Sequence, residues 1–224
     1  MGVYLQGFLI ACKGIPTTIW VSVIAIVLGA AVGLLLALCS QSKKTPLRVI
    51  SKLYIDIVRG TPMLVQALIM AYGVPQLIQS MGTDFKWPNL VIPAVIVCGM
   101  NSAAYMAEII RSGIQAVDKG QMEAARSLGM NQKMAMKLII IPQAIRIILP
   151  AFCNEFVTLI KETSVLGYVG VVEILRHGQL WNSSSFETFP AYIGVALAYM
   201  MLTIPLSKLI NGYERRRARK EAAA

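Results

Sequence analysis

The pattern of apolar and polar positions divides the chain into five long apolar stretches separated by short basic segments. A membrane-spanning helix needs about 20 mostly apolar residues, because hydrocarbon leaves the backbone no other hydrogen-bond partner. Stretches at about 15–39, 53–79, 89–112, 137–160 and 188–210 meet this length and predict five spans. The first carries no charge after Lys13. The fourth is interrupted by Pro142, Arg146, Pro150 and Glu155. Residues 3–10 are short and mixed, and fit either an interfacial helix leading into the first span or a disordered end. Residues 168–187 read as a polar loop.

Composition sharpens the picture. Of 224 residues, 56% are hydrophobic and 14% charged, against about a quarter charged in soluble domains. The expected fold class is an all-α membrane protein forming one transmembrane domain. The net charge of +10 follows loop positions and not an aromatic-basic stripe, so no nucleic acid is expected as a partner. Segments 40–52, 111–137 and 208 onward hold four, five and six of the 21 basic residues. The opposite side holds four: Lys13, Lys86, Lys161 and Arg176. By the positive-inside rule the first group is cytoplasmic, the N-terminus outside and the C-terminus inside. The basic run 215–220 also suits contact with anionic membrane lipid.

Four scattered cysteines form no CxxC pair, and His177 is the sole histidine; neither a disulfide framework nor a His-rich metal site is expected. No basic n-region precedes the first apolar stretch, so no cleaved signal peptide is expected. There is no GxxxxGK[ST] loop to cradle nucleotide phosphates, no HExxH and no GxSxG. The chain is therefore not expected to be an enzyme or to bind a cofactor; its energy must come from a partner or an ion gradient.

Between the third and fourth spans the pattern predicts a short helix at about 119–129. Asp118 is placed to cap it, with Gln121 three residues on as in a capping box. Gly129 fits the left-handed residue that ends helices, and Asn131 can cap the helix that enters span four. Either this is a compact connector or a stiff lever that another protein grips.

Charged and polar residues inside spans need a reason. Asp56 and Arg59, and likewise Glu108 and Arg111, stand three apart and are placed to form ion pairs. Glu155 and Glu162 share a helix face, beside Lys161, Thr163 and Ser164. With Asn101 and Tyr105 of span three, these seven-residue-spaced carboxylates and their neighbours could line a water-filled pocket for a zwitterion, Lys161 meeting a carboxylate and Glu162 or Glu155 an amino group. The alternative places Lys161 and Glu162 in the headgroup region with no specific task.

These residues carry a resemblance. Glu123-Ala124-Ala125, Gly129, Ile139 and Pro142 match in type and spacing the EAA loop of bacterial ABC-importer permeases, with Ile141 where leucine is usual. Gly14-Ile15-Pro16-Thr17-Thr18, Val58-Arg59-Gly60-Thr61-Pro62, the run from Asn101 to Arg111, and Leu159-Ile160-Lys161-Glu162-Thr163-Ser164 resemble the polar amino-acid (histidine, glutamine and arginine type) branch, with Glu162 where aspartate is commoner. The resemblance implies a type I ABC importer permease in a bacterial cytoplasmic (inner) membrane. It implies ATPase-coupling roles for Glu123, Ala124, Ala125, Leu128, Gly129, Ile139 and Pro142. It also implies three partners: an ATP-binding cassette subunit that uses ATP and Mg, a second permease copy or paralogue, and an extracytoplasmic amino-acid-binding protein. An ion-coupled carrier or channel is the competing expectation, with a membrane-bound enzyme third.

Overall fold

The computed structural model describes residues 2–222, and every regular element in them is helical. Helix α1 (Val3–Cys12) turns at Lys13-Gly14 into α2 (Ile15–Ser40), and together they form span one. After a four-residue turn comes α3 (Thr45–Gly60). Span two is Met63–Ser80, built from α4 (Met63–Leu68), a π turn (Ile69–Gly73) and α5 (Val74–Ser80). Span three is α6 (Val91–Gln115). The short α7 (Lys119–Ser127) follows. Span four strings together α8 (Gln132–Ala135), a second π turn (Met136–Ile140), α9 (Ile141–Glu162) and a 3-10 turn (Thr163–Val169). Helix α10 (Ile174–Ser185) precedes α11 (Thr188–Ala222), whose Thr188–Arg217 portion is span five.

Two features differ from the sequence pattern. The helix expected over 53–79 is broken: α3 stops at Gly60, Thr61 is extended, and Pro62 precedes span two. A residue before proline is driven out of the helical region, and that breaks an otherwise continuous apolar window. The expected loop at 168–187 contains α10, whose N-terminus is capped by the Glu173 side chain. The N-terminal segment takes the helical alternative.

Packing relies on small residues, as expected where lipid removes the hydrophobic drive between helices. Spans one and three are closely apposed. A Cβ on Gly29 would stand 2.6 Å from Ser102 Oγ, and one on Gly33 would stand 2.5 Å from Met106 Cβ. Helix α1 crosses α11 in the same manner: a Cβ on Gly194 would lie 2.4 Å from the Gly7 backbone. The main core joins Val21, Ala25 and Ile26 of α2 to Ala94, Val97, Cys98 and Met106 of α6 and Leu159 of α9. All four cysteines are free thiols.

Helix α3 has three faces. Ser51, Ile55 and Val58 are buried against α2 and α6, with Ser51 Oγ donating to the Leu36 carbonyl (2.7 Å) and Tyr54 Oη to that of Met100 (2.9 Å). Ile50, Leu53 and Ile57 are apolar and exposed. Arg48, Lys52, Asp56 and Arg59 recur at helical spacing on a side away from that apolar strip.

Candidate functional site: the α7 lever and a polar track along α6

Helix α7 is closed at both ends by local chemistry. Asp118 accepts the Gly120 N–H at 2.7 Å. At the other end Met130 N donates to Ala125 O (3.1 Å) and Gly129 N to Arg126 O (3.0 Å), with Gly129 at φ +84°. This is the Schellman pattern, which requires a left-handed residue at that place. Asn131 Oδ1 accepts the Met134 N–H at 2.9 Å and starts span four. The expected capping box is not completed. Gln121 does not turn back to Asp118; its Oε1 accepts from Gln143 Nε2 of α9 at 3.2 Å. That same amide donates to the Ile139 carbonyl at 3.0 Å. Ile139 lies in the π turn that ends two residues before Pro142, which has no N–H to continue an α-helical ladder.

The predicted coupling residues divide by exposure. Glu123, Ala124, Leu128 and Gly129 face outward, and Leu128 is 84% exposed. Ala125 is turned inward and buried, so it packs within the chain and offers no surface to a partner. Ile139 packs with Met122 of α7 around Val117, Ile140 and Ala144, and Pro142 is exposed. The unit therefore has an outward strip and an inward strip that ties it to the foot of span four.

The predicted pocket residues lie on α6 (Asn101, Tyr105), on α9 (Glu155, Lys161, Glu162) and in the 3-10 turn after it (Thr163, Ser164). Glu155 and Glu162 lie within electrostatic reach of each other, and Glu162 within reach of both Lys161 and Cys98. Asn101 is buried with Oδ1 unbonded, and Glu155 Oε1 and Glu162 Oε2 are likewise buried without a partner. Buried polar atoms of this kind are normally satisfied; Thr18 Oγ1 of α2 and Ser102 Oγ of α6 share the condition, so the unsatisfied atoms are spread over spans one, three and four. Lys161 is exposed and Ser164 half-buried, while Thr163 is fully buried and donates to the Ile160 carbonyl at 2.7 Å. Tyr105 is half-buried beneath Arg59, whose guanidinium sits 5.3 Å from its ring centre. The expected Asp56–Arg59 ion pair does not form, because Arg59 turns to Tyr105. Glu108 and Arg111 do pair, with Arg111 Nε donating at 3.0 Å. The Arg146 side chain is exposed, and its carbonyl accepts from Arg217.

One residue was not anticipated. Glu173 is completely buried and accepts from Leu175 N (2.8 Å), Arg176 N (2.7 Å) and Tyr199 Oη (2.5 Å). Burial pushes its carboxyl above the ordinary range, against the opposing pull of those donors. It holds α10 to span five, while Gly14 and Gly167 make room: a Cβ on either would come within 2.8 Å of Glu173 atoms. A lone carboxylate in the run Val171-Val172-Glu173-Ile174-Leu175 was the available signal.

Five spans with a capped helix slung between the third and fourth define the membrane-embedded permease subunit of a transporter. The comparisons agree. The model for the binding-protein-dependent transport system inner membrane component matches residues 25–219, and the chain belongs to that family. It is 38% identical over 94% of its length to a probable amino-acid permease protein of Bacillus subtilis, covering 92% of that protein. It is 37% identical to a putative glutamine transport system permease protein of Rickettsia prowazekii, with 95% of each chain aligned. An arginine transport system permease protein of Bacillus subtilis is 34% identical, with 91% of this chain and 90% of that protein aligned. Among solved structures, an amino acid ABC transporter with histidines aligns at TM-score 0.81 and 38% identity, over 96% of this chain and 94% of that one. The MetNI methionine ABC transporter, at TM-score 0.61 and 19% identity over 97% and 95%, shares the fold.

Proposed function

We propose that this chain is the pore subunit of an ATP-driven importer for polar L-amino acids. Two copies, or this chain and a paralogue, enclose the path, since five spans with one apolar-faced bundle offer a half-site and closed two-fold assembly is the commonest arrangement. An ATP-binding cassette subunit uses ATP and Mg and grips α7; an extracytoplasmic binding protein delivers the amino acid at the opposite end. The distribution of basic segments supports a reading with α7 and the C-terminus in the cytosol and the N-terminus outside, in a bacterial inner membrane.

The observation that carries the reading is the bond from Gln143 to Gln121, 22 residues apart. It ties a helix with an exposed outer strip to the base of span four, so a displacement of α7 moves the helix bearing Glu155 and Glu162. ATP-driven closure of the partner pair draws the α7 helices together and opens the path outward; resetting releases cargo inside.

The test is uptake by the complex reconstituted with its ATPase and binding protein. ATP-dependent accumulation of glutamine, histidine or arginine is expected, with Glu123→Lys or Gly129→Asp releasing the ATPase during purification. Accumulation driven by an ion gradient in the chain alone would overturn the reading.

A further inference from the structure

The charged face of α3 meets the end of α6 in a groove of about 390 Å³, lined among others by Arg48, Lys52, Asp56, Arg59, Glu108 and Arg111. That volume falls in the range of small-molecule sites, about 300–1,000 Å³. Four cations face two carboxylates, and Glu108 is already engaged by Arg111. The groove thus keeps a positive surplus, softened by Asp56.

Its depth makes the surplus informative. Tyr105, under Arg59, lies ten residues before the end of α6, which is about 15 Å along a helix. A cation held beside span three at that distance from its end is costly unless it lines a water-filled path or meets an anion. The exposed apolar strip of α3, Ile50, Leu53 and Ile57, lies on another side of the helix, so the cations are not on the face suited to lipid. The guanidinium lies over an aromatic ring, an arrangement that fixes the plane of arginine and leaves its N–H edge free for a bidentate carboxylate. Space is available beside it: a Cβ on Gly60 would meet no atom within 4 Å. One helical turn before Tyr105, on the same side of α6, stands Asn101 with its unbonded buried oxygen.

We propose that Arg59, backed by Arg48 and Lys52, binds the α-carboxylate of the transported amino acid on the α7 side of the membrane. The inference rests on the importer reading and adds the group that receives the cargo before release. Cargo passes from the unbonded oxygens of Asn101, Glu155 and Glu162 to the Tyr105–Arg59 pair, and the positive groove disfavours re-entry of cations from that side.

The test reads the site without relying on transport. The purified complex is treated with phenylglyoxal and the modification of each arginine followed by peptide mass spectrometry, with L-arginine, L-histidine, agmatine or histamine present. The two amino acids are expected to slow modification of Arg59, while the two amines, which lack the carboxylate, leave it unchanged. Arg176, which lies outside this groove, is the internal control. Arg59→Gln is expected to raise the apparent KM for uptake about tenfold, the loss of one charge-assisted contact, and Arg59→Lys to restore part of it. Equal protection by amines, or by inorganic phosphate, overturns the carboxylate assignment, as does an unprotected Arg59 in a complex with normal ATP-driven uptake. A complex with no ATP-driven uptake for any amino acid sinks the importer reading itself, whatever the labelling shows.

Discussion

Gln143 bridges two elements that the chain separates by 22 residues: its side-chain amide donates at once to Gln121 of α7 and to the Ile139 carbonyl in the π turn. The Ile139 carbonyl lies close to Pro142 in sequence, and the amide that donates to it also anchors α7. Gln143→Leu keeps the volume and removes both bonds. The variant is expected to bind its ATPase as before but to transport fewer molecules per ATP hydrolysed. Paired measurements of uptake and phosphate release check this; an unchanged ratio refutes the bridge.

Gly129 holds a left-handed conformation that an L side chain adopts only with strain. Open space surrounds it, so Gly129→Ala isolates the backbone effect. A cost of about 1 kcal/mol in closing α7 is expected, read as faster amide exchange over 119–130 with the rest of the bundle unchanged.

Glu173 is a second anchor. Tyr199→Phe deletes one bond to a buried carboxylate and is expected to cost about 1–3 kcal/mol. The pH dependence has a definite sign. Because the folded-state carboxyl is raised above its ordinary value, the fold holds its proton more tightly than the unfolded chain does. The stabilisation is present below the ordinary glutamate range and lost as pH rises through the raised value. The melting temperature of the native protein minus that of Glu173→Gln should therefore grow as pH falls from neutral toward 4.5, the ordinary carboxyl value. A flat difference would refute it.

The α2–α6 seam has no spare volume. Gly33→Val drives new atoms into Met106 and the Ala103 carbonyl, 2.5 and 2.8 Å from even a bare Cβ. Overpacking of this kind costs about 1–3 kcal/mol or more. The expected result is lower thermal stability in detergent, whereas Gly212→Val, at an open position, should leave the melting temperature unaltered.

Local signals were legible where structure is locally determined. Asp118, Gly129 and Asn131 mark the ends of α7 and the start of span four because caps and left-handed turns depend on a few adjacent residues. The five apolar windows emerge from composition alone. Pro62 was a visible break, but the apolar run on both sides of it masked the separation of α3 from span two. Long-range partners were out of reach: nothing near Gln121 in sequence points to Gln143, and nothing near Arg59 prefers Tyr105 over the closer Asp56. Glu173 was hidden for the same reason, since Tyr199 lies 26 residues away.

Spans one and three touch backbone-close at Gly29 and Gly33, and that contact restricts how the bundle can change shape. Two rods meshed so tightly cannot slide past each other or rotate independently without breaking the seam. They travel as a single mast. A swing between open and closed shapes is then left to the places free of such a seam: the break at Thr61-Pro62 and the turn at Gly129.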